Sequence, residues 1–218
     1  MTEINLMIKY PSAIRNLEER ASKKTEEDRI IARQFGKEFF DGDRKYGYGG
    51  YNYNPRFWTG VVEDMIKYYS LTKNSKILDV GCGKGFTLYD FTRIIPGIKI
   101  RGIDISSYAI ENGKKEVKSF LSLGNAANLG RFKNKKFDLV ISLITLHNLE
   151  LEECKKALTE IERVGKKAFI TVDAWKDEME KERMINWNLT AKTLMSTEDW
   201  KSLFEKVGYT GDYYWNIV

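Results

Sequence analysis

Residues 76–85 read KILDVGCGKG, a short apolar run closed by glycine at positions 81, 83 and 85. Lys76 to Val80 has the length and composition of a buried strand. The glycines let the chain turn sharply and let a ligand approach the backbone with no Cβ in the way. The stretch from Phe86 to Ile95 then predicts a helix, whose first N–H groups face back into the turn. A strand, a glycine turn and a helix N-terminus in succession make either a nucleotide-binding turn or a plain strand–helix turn. A dinucleotide fingerprint spaces its glycines G-x-G-x-x-G. Here the third glycine comes one residue early, and an acid, Asp79, stands two residues before the first.

Outward from this turn, strands and helices alternate. Ile98 to Ile103 is a second strand, and Ser106 or Ser107 caps a helix through Val117. Phe120 to Leu123 is a weak third strand and Phe137 to Leu143 a strongly apolar fourth. Leu151, Cys154, Leu158, Ile161 and Val164 fall at helical spacing. Ala168 to Val172 is a fifth strand. Ser196 to Asp199 has the form of a capping box, its helix ending at Gly208, and Tyr213 to Val218 is a last strand. This order predicts an α/β fold with a mostly parallel sheet and helices on both faces. Ligands in such sheets bind beyond the carboxyl ends of the strands, near the reversal of strand order. That directs attention to Gly81, Asp104, Asn125 and the residues after Leu143.

Before the core, residues 1–75 read as a helical and aromatic extension. Ser12 can cap a helix from Ala13, Thr25 to Asp28 resembles a capping box, and Val61 to Tyr69 is helical. Residues 35–58, FGKEFFDGDRKYGYGGYNYNPRFW, hold nine aromatics and five glycines, which forbids a long regular element. The core is expected over residues 76–218, with an inserted helix at about 174–195.

The 218 residues suit one domain plus an extension, and 42% hydrophobic residues suffice for one core. A net charge of +5 is only mildly basic. The two cysteines, Cys82 and Cys154, stand outside any metal-ligand spacing, so no metal is expected and a reducing cytoplasm fits. No apolar run approaches the ~20 residues of a membrane span, and no signal peptide is apparent.

The glycine motif resembles the first motif of class I S-adenosylmethionine-dependent methyltransferases, LD-x-G-x-G-x-G. The resemblance covers residues 76–173, especially to small-molecule bacterial enzymes, and implies their Rossmann-like fold and S-adenosyl-L-methionine as cofactor. It implies that the turn at Gly81, Cys82 and Gly83 packs against the methionine part of the cofactor and that Asp79 helps hold its amino group. Asp104 ends the second strand 23 residues after Gly81, where a ribose-binding acid belongs. A helix-capping acid is the plainer alternative. Ile105 would pack on the adenine. Gly124 to Leu129, with Asn125 and Ala126, resembles a loop written G-D-A-x-x-L. Asn125 replaces its acid, and an amide oxygen can still accept the adenine amino group. Ser142 lies at the end of the fourth strand, which looks like the family's FD-x-V strand.

His147, the only histidine, follows that strand. It is either a general base or a histidine that orders the pocket. The Pro-Pro-aromatic motif of base-N methyltransferases, a Pro-Cys nucleophile and a three-cysteine radical cluster are all missing from the sequence. Tyr46, Tyr48, Tyr51 and Tyr53, with Arg56 and Trp58, are expected to form a lid over the substrate. A packed loop, or a stacking platform for single-stranded RNA, are the alternatives. Asp173, Trp175, Tyr213 and Tyr214 complete the expected substrate wall. The expected reaction is methyl transfer to a small polar acceptor, oxygen slightly ahead of nitrogen, and a resemblance to compact bacterial enzymes of sugar and glycan modification adds sugar-related metabolites to the expected acceptors. The rivals are an RNA or protein methyltransferase and a non-catalytic cofactor-binding subunit. Oligomeric state is not legible.

Overall fold

The computed structural model describes residues 1–11 and 25–218. Its strands are β1 (Thr2–Glu3), β2 (Lys76–Val80), β3 (Lys99–Asp104), β4 (Leu121–Leu123), β5 (Leu139–Leu143), β6 (Ala168–Trp175), β7 (Met195–Ser196) and β8 (Asp212–Asn216). They form one sheet in the order β1-β8-β6-β5-β2-β3-β4, with β7 beside the end of β6. Every pairing is parallel. The order reverses at β2, whose neighbours are β3 and β5, so the crevice between the ends of β2 and β5 is the natural ligand site.

The helices are α1 (Glu26–Ala32), α2 (Lys37–Asp41), α3 (Pro55–Tyr69), α4 (Phe86–Ile94), α5 (Ser107–Glu111), α6 (Leu151–Val164), α7 (Glu178–Trp187) and α8 (Thr197–Lys206). Alternate strand residues point to opposite faces, and both faces are covered. Leu78, Val80, Val140, Ile170 and Val172 pack with Leu158 and Ile161 of α6 and Trp200 and Phe204 of α8. Ile77, Leu139, Ile141 and Phe169 pack with Val62 and Met65 of α3 and Leu88 and Phe91 of α4. Two-sided burial explains why the strands are apolar throughout rather than alternating. Each such side chain contributes about 1.5–3 kcal/mol on burial.

Several boundaries differ from the sequence reading. The helix expected to reach Val117 stops at Glu111, with Asn112 as its C-cap and Gly113, a poor helix former, next in the chain. β6 runs on through Asp173 to Trp175, and β8 begins at Asp212. β1 was not foreseen, since two residues carry no periodicity. The capping box of α1 forms: Asp28 N–H donates to Thr25 Oγ1 (3.2 Å) and Thr25 N–H to Asp28 Oδ2 (3.0 Å). The inserted helix is α7, capped by Asp177. The helix expected from Ala13 lies outside the described residues. Among the described residues, no helix is long and apolar enough to cross a membrane.

Parallel strands begin at one rim and end at the other. Lys76 pairs in register with Lys99 at the starting rim, and exposed Lys135, Lys136, Lys166 and Lys167 precede β5 and β6 there. Lys166 is paired with Asp138 (2.8 Å) and Lys135 with Glu162 (3.2 Å). The glycine turn is at the opposite rim.

Candidate functional site

The turn after β2 is fixed from both sides. Gly81 has φ 84°, and its N–H donates to the Ile103 carbonyl (2.8 Å), as does that of Cys82 (3.0 Å). A Cβ on Gly81 would lie 2.3 Å from the Thr145 side chain, so this position needs glycine for its conformation and for space. The Cys82 thiol is turned inward against Gly102, and burial holds its pKa well above the usual thiol value. Only its backbone belongs to the turn. Gly83, with φ 51°, donates its N–H to Asp104 Oδ2 (2.7 Å), and Gly85 opens α4.

Two acids sit under this turn. Asp79 is 3% exposed, and burial, with the negative charge of Asp104, pushes its pKa up to about 8. No donor among the described residues satisfies its carboxyl group. Asp104 accepts from Gly83 N–H and, through Oδ1, from Ser106 N–H (2.8 Å). Burial raises its pKa, against the pull of those N–H groups. A carboxylate has four lone-pair sites, so Asp104 retains capacity for two ribose hydroxyls while ordering the turn. The capping role and the ribose role are therefore compatible. Ile105 beside it is 58% exposed, an apolar surface without a covering partner of matching size.

Gly124, whose N–H donates to the Asp104 carbonyl (2.9 Å), begins the next part of the site. Gly124, Asn125, Asn128, Gly130 and Arg131 line an open recess of about 380 Å³. Asn125 Oδ1 accepts the Ala127 N–H (2.8 Å), a local turn that leaves one lone pair of that oxygen. Ala126 is half-buried against the core. The orphaned Asp79 carboxyl, the acid at Asp104 and this recess together fit the ammonium, ribose and adenine of the implied cofactor. Ser142 stands on β5 next to Val80, with its side chain turned into the sheet. It is fully buried and donates to the Val80 carbonyl (2.9 Å), tying β5 to β2 inside the sheet.

The aromatic segment roofs the turn. The Tyr51 ring is 3.4 Å from where a Cβ on Gly83 would stand, with Phe40 at 3.7 Å. Tyr51 packs on Tyr48 (centroids 4.3 Å) and Phe86 (4.8 Å). Tyr46 is half-buried beside Lys45. The rest of the expected lid serves as its anchor. Tyr53 donates to the buried Asp90 carboxylate of α4 (2.6 Å), Trp58 packs on Tyr10 (5.1 Å), and exposed Arg56 lies over Phe57. Arg44 donates to the Gly47 carbonyl of its own loop.

His147 is 2% exposed, and Asp173 lies against both ring nitrogens. Nδ1 accepts the Asp173 N–H (3.0 Å), so the neutral ring carries its proton on Nε2, 3.4 Å from Asp173 Oδ2. Burial lowers its pKa below the usual histidine value, with Asp173 opposing. Asp173 also accepts from Asn188 Nδ2 and Asn216 Nδ2 (2.5 Å), and its carbonyl accepts Trp200 Nε1–H (3.0 Å). This buried network joins β6, β8, α8 and the segment after α7. Trp175, half-buried, ends β6. Tyr213 lies in the core against Phe204 (5.3 Å), and Tyr214 is on the opposite face, packed against the α3–α4 layer.

Sequence reasoning missed Lys84, Asp41 and Tyr108, which tie the roof to the turn, and Asn188 and Asn216. Lys84 stood within the quoted motif, and its charge in an otherwise glycine and apolar run was the available signal. Among the described residues, no group of three or more His, Cys, Asp or Glu side chains is placed to hold a metal ion.

Residues 71–208, well over half the chain, match the family model described as a methyltransferase domain. The demethylmenaquinone methyltransferase of Symbiobacterium thermophilum is 34% identical over 129 residues, 55% of this chain and 50% of that protein. The ribosomal RNA small subunit methyltransferase C of Buchnera aphidicola is 34% identical over 77 residues, 34% of this chain and 23% of that protein. The chain thus matches half or less of the length of these relatives. The geranyl diphosphate C-methyltransferase of Streptomyces coelicolor, solved with S-adenosyl-L-homocysteine, has the same fold (TM-score 0.54, 14% identity, 66% of this chain and 58% of that one).

Proposed function

The chain belongs to the methyltransferase domain family, and from that premise we propose that it moves a methyl group from S-adenosyl-L-methionine to a small polar acceptor, with oxygen favoured over nitrogen. The observation that carries this reading is the buried Asp79 carboxyl, without a donor among the described residues, beside a glycine turn that is itself held by Asp104. Asp79 would take the amino-acid ammonium, Asp104 the ribose hydroxyls, and the recess at Gly124 to Arg131 the adenine. Gly81 and Gly83 let the ligand close on the backbone.

The bound cofactor supplies an activated methyl group. What remains for this chain is to position the acceptor and exclude water. Tyr48 and Tyr51 serve as the wall that does so. His147, buried and accepting the Asp173 N–H at Nδ1, acts as a positioning residue for Asp173 and the segment after α7 rather than as the proton acceptor.

An RNA acceptor is the second reading, favoured by the relative that acts on ribosomal RNA. The exposed lysines at the starting rim of the strands weigh against it, since they lie away from the turn. Calorimetry with S-adenosyl-L-homocysteine tests the cofactor site: micromolar-range binding is expected, and a folded protein that does not bind refutes the reading. Methyl incorporation in a cell extract tests the acceptor. It should survive ribonuclease, and its loss would favour RNA.

A further inference from the structure

Lys84 belongs to the glycine turn, yet its ammonium serves the aromatic segment. The residue is only 5% exposed. It donates to Asp41 Oδ1 (2.8 Å), Asp41 Oδ2 (2.6 Å) and the Tyr51 carbonyl (3.0 Å). Asp41 is the hub of this knot, because it also accepts the Tyr51 N–H (2.9 Å) and the Tyr108 hydroxyl (2.7 Å). Burial raises the Asp41 pKa, but Lys84, Tyr108 and the Tyr51 N–H outweigh that and hold it below the usual carboxylate value. One bonded cluster therefore joins α2, the irregular run at Tyr51, the glycine turn and α5. A second tie, from Ser106 Oγ to the Phe35 carbonyl (2.5 Å), lies on the same side.

Over the turn itself the other contacts are ring packing, of Tyr51 and Phe40 over Gly83 and of Tyr51 on Phe86, and the Tyr53 hydroxyl bonds Asp90 further along α4. Ring packing is non-directional and slides, whereas a buried ammonium held by three oxygens has one geometry. Tyr51 covers Gly83, and Lys84 is the residue of the turn that holds both Tyr51 and Asp41. We propose that Lys84 and Asp41 are positioning residues that latch residues 37–53 over the glycine turn, so that release of this latch governs ligand exchange and its closure fixes Tyr48 and Tyr51 as the acceptor wall. The inference rests on the reading of the turn as the cofactor site.

The test uses the full chain with S-adenosyl-L-homocysteine as probe, in wild type, Lys84→Met, Asp41→Asn and the double variant. Stopped-flow release of the probe should be at least about tenfold faster in each single variant, the equivalent of about 1.4 kcal/mol. Hydrogen exchange at residues 47–53 of the ligand-free protein should speed up, while exchange in β2, β3 and β5 stays unchanged. The double variant should match the single ones, because both remove the same bond. Unaltered release and unaltered exchange in a folded variant would overturn the latch, and so would additive effects of the two substitutions. If Lys84→Met fails to fold, the double variant, which leaves no unpaired charge, decides the question by the same readouts. If wild type does not bind the probe, the cofactor reading fails, and the exchange comparison on ligand-free protein still decides the latch.

Discussion

Cofactor affinity should rise steeply with pH in the range where most proteins are indifferent to it. Asp79 is buried, no donor among the described residues satisfies it, and burial with the charge of Asp104 pushes its pKa up to about 8. Its folded pKa is raised, so below pH 8 the ligand-free protein carries a neutral carboxylic acid there. An incoming ammonium favours the charged form, which means that binding expels a proton. Affinity is then proportional to the fraction already ionised, about one part in a hundred at pH 6 and one half at pH 8. The expected gain is about 50-fold between those two values, or about 2.3 kcal/mol, with little further change above pH 8 until the ligand's own ammonium titrates. Calorimetry with S-adenosyl-L-homocysteine at pH 6, 7 and 8, in buffers of different ionisation enthalpy, reads both the affinity and the released proton. Asp79→Asn should abolish both effects. A flat affinity with no proton release across this window would refute the assignment of Asp79 to the ammonium. The same raised pKa has a converse in stability. The folded state holds a proton that the unfolded chain has lost between about pH 4 and pH 8, so Asp79 makes the ligand-free protein less stable as pH rises through that window.

Asp104→Ala should weaken S-adenosyl-L-homocysteine by about 1–3 kcal/mol through lost charge-assisted bonds, read by the same titration; unchanged affinity would leave Asp104 as a cap for the turn alone. His147→Ala should cost about 1–3 kcal/mol of stability, because the Asp173 N–H loses its acceptor in a buried site, and a urea midpoint measures it. If instead stability holds while turnover falls 10²–10⁴-fold, the base role returns. Gly81→Ala should cost about 2 kcal/mol or more, from the positive φ together with the Thr145 contact, and Thr145→Ala should recover part of that loss.

The legible part of the site was the part made by strand ends. Asp79, Gly81, Gly83 and Asp104 are each within a few residues of a strand boundary, and parallel strands bring their ends to one rim, so local reading was enough. Ser142 illustrates the limit: a strand buried on both faces gives no sign of which hydroxyl faces a cleft and which pairs with a neighbouring carbonyl. Tyr213 and Tyr53 were grouped with the site for being aromatic, but one packs on Phe204 and the other anchors to Asp90. The Lys84–Asp41 pair spans 43 positions with no periodic pattern between them, and no rule of spacing reaches that far. The Asp173 network needed Asn188, which lies beyond an insertion whose path only tertiary packing decides.

The two residues of β1 do more than extend the sheet. Thr2 and Glu3 pair with Asp212 and Tyr213, Ile4 N–H donates to the Tyr213 carbonyl (2.9 Å), and Glu3 reaches Lys201 of α8 (3.5 Å). They stand where a sheet of this kind would otherwise present the flank of an aromatic strand, DYYWN, to any other chain. Unpaired strand flanks are templates for self-association, and natural proteins cover or charge them. Here both devices are used in one short segment. A variant trimmed to begin at Leu6 would keep its glycine turn and its ligand, yet it should form concentration-dependent oligomers on size-exclusion chromatography, because a neighbour's β8 would take the place that Thr2 and Glu3 left.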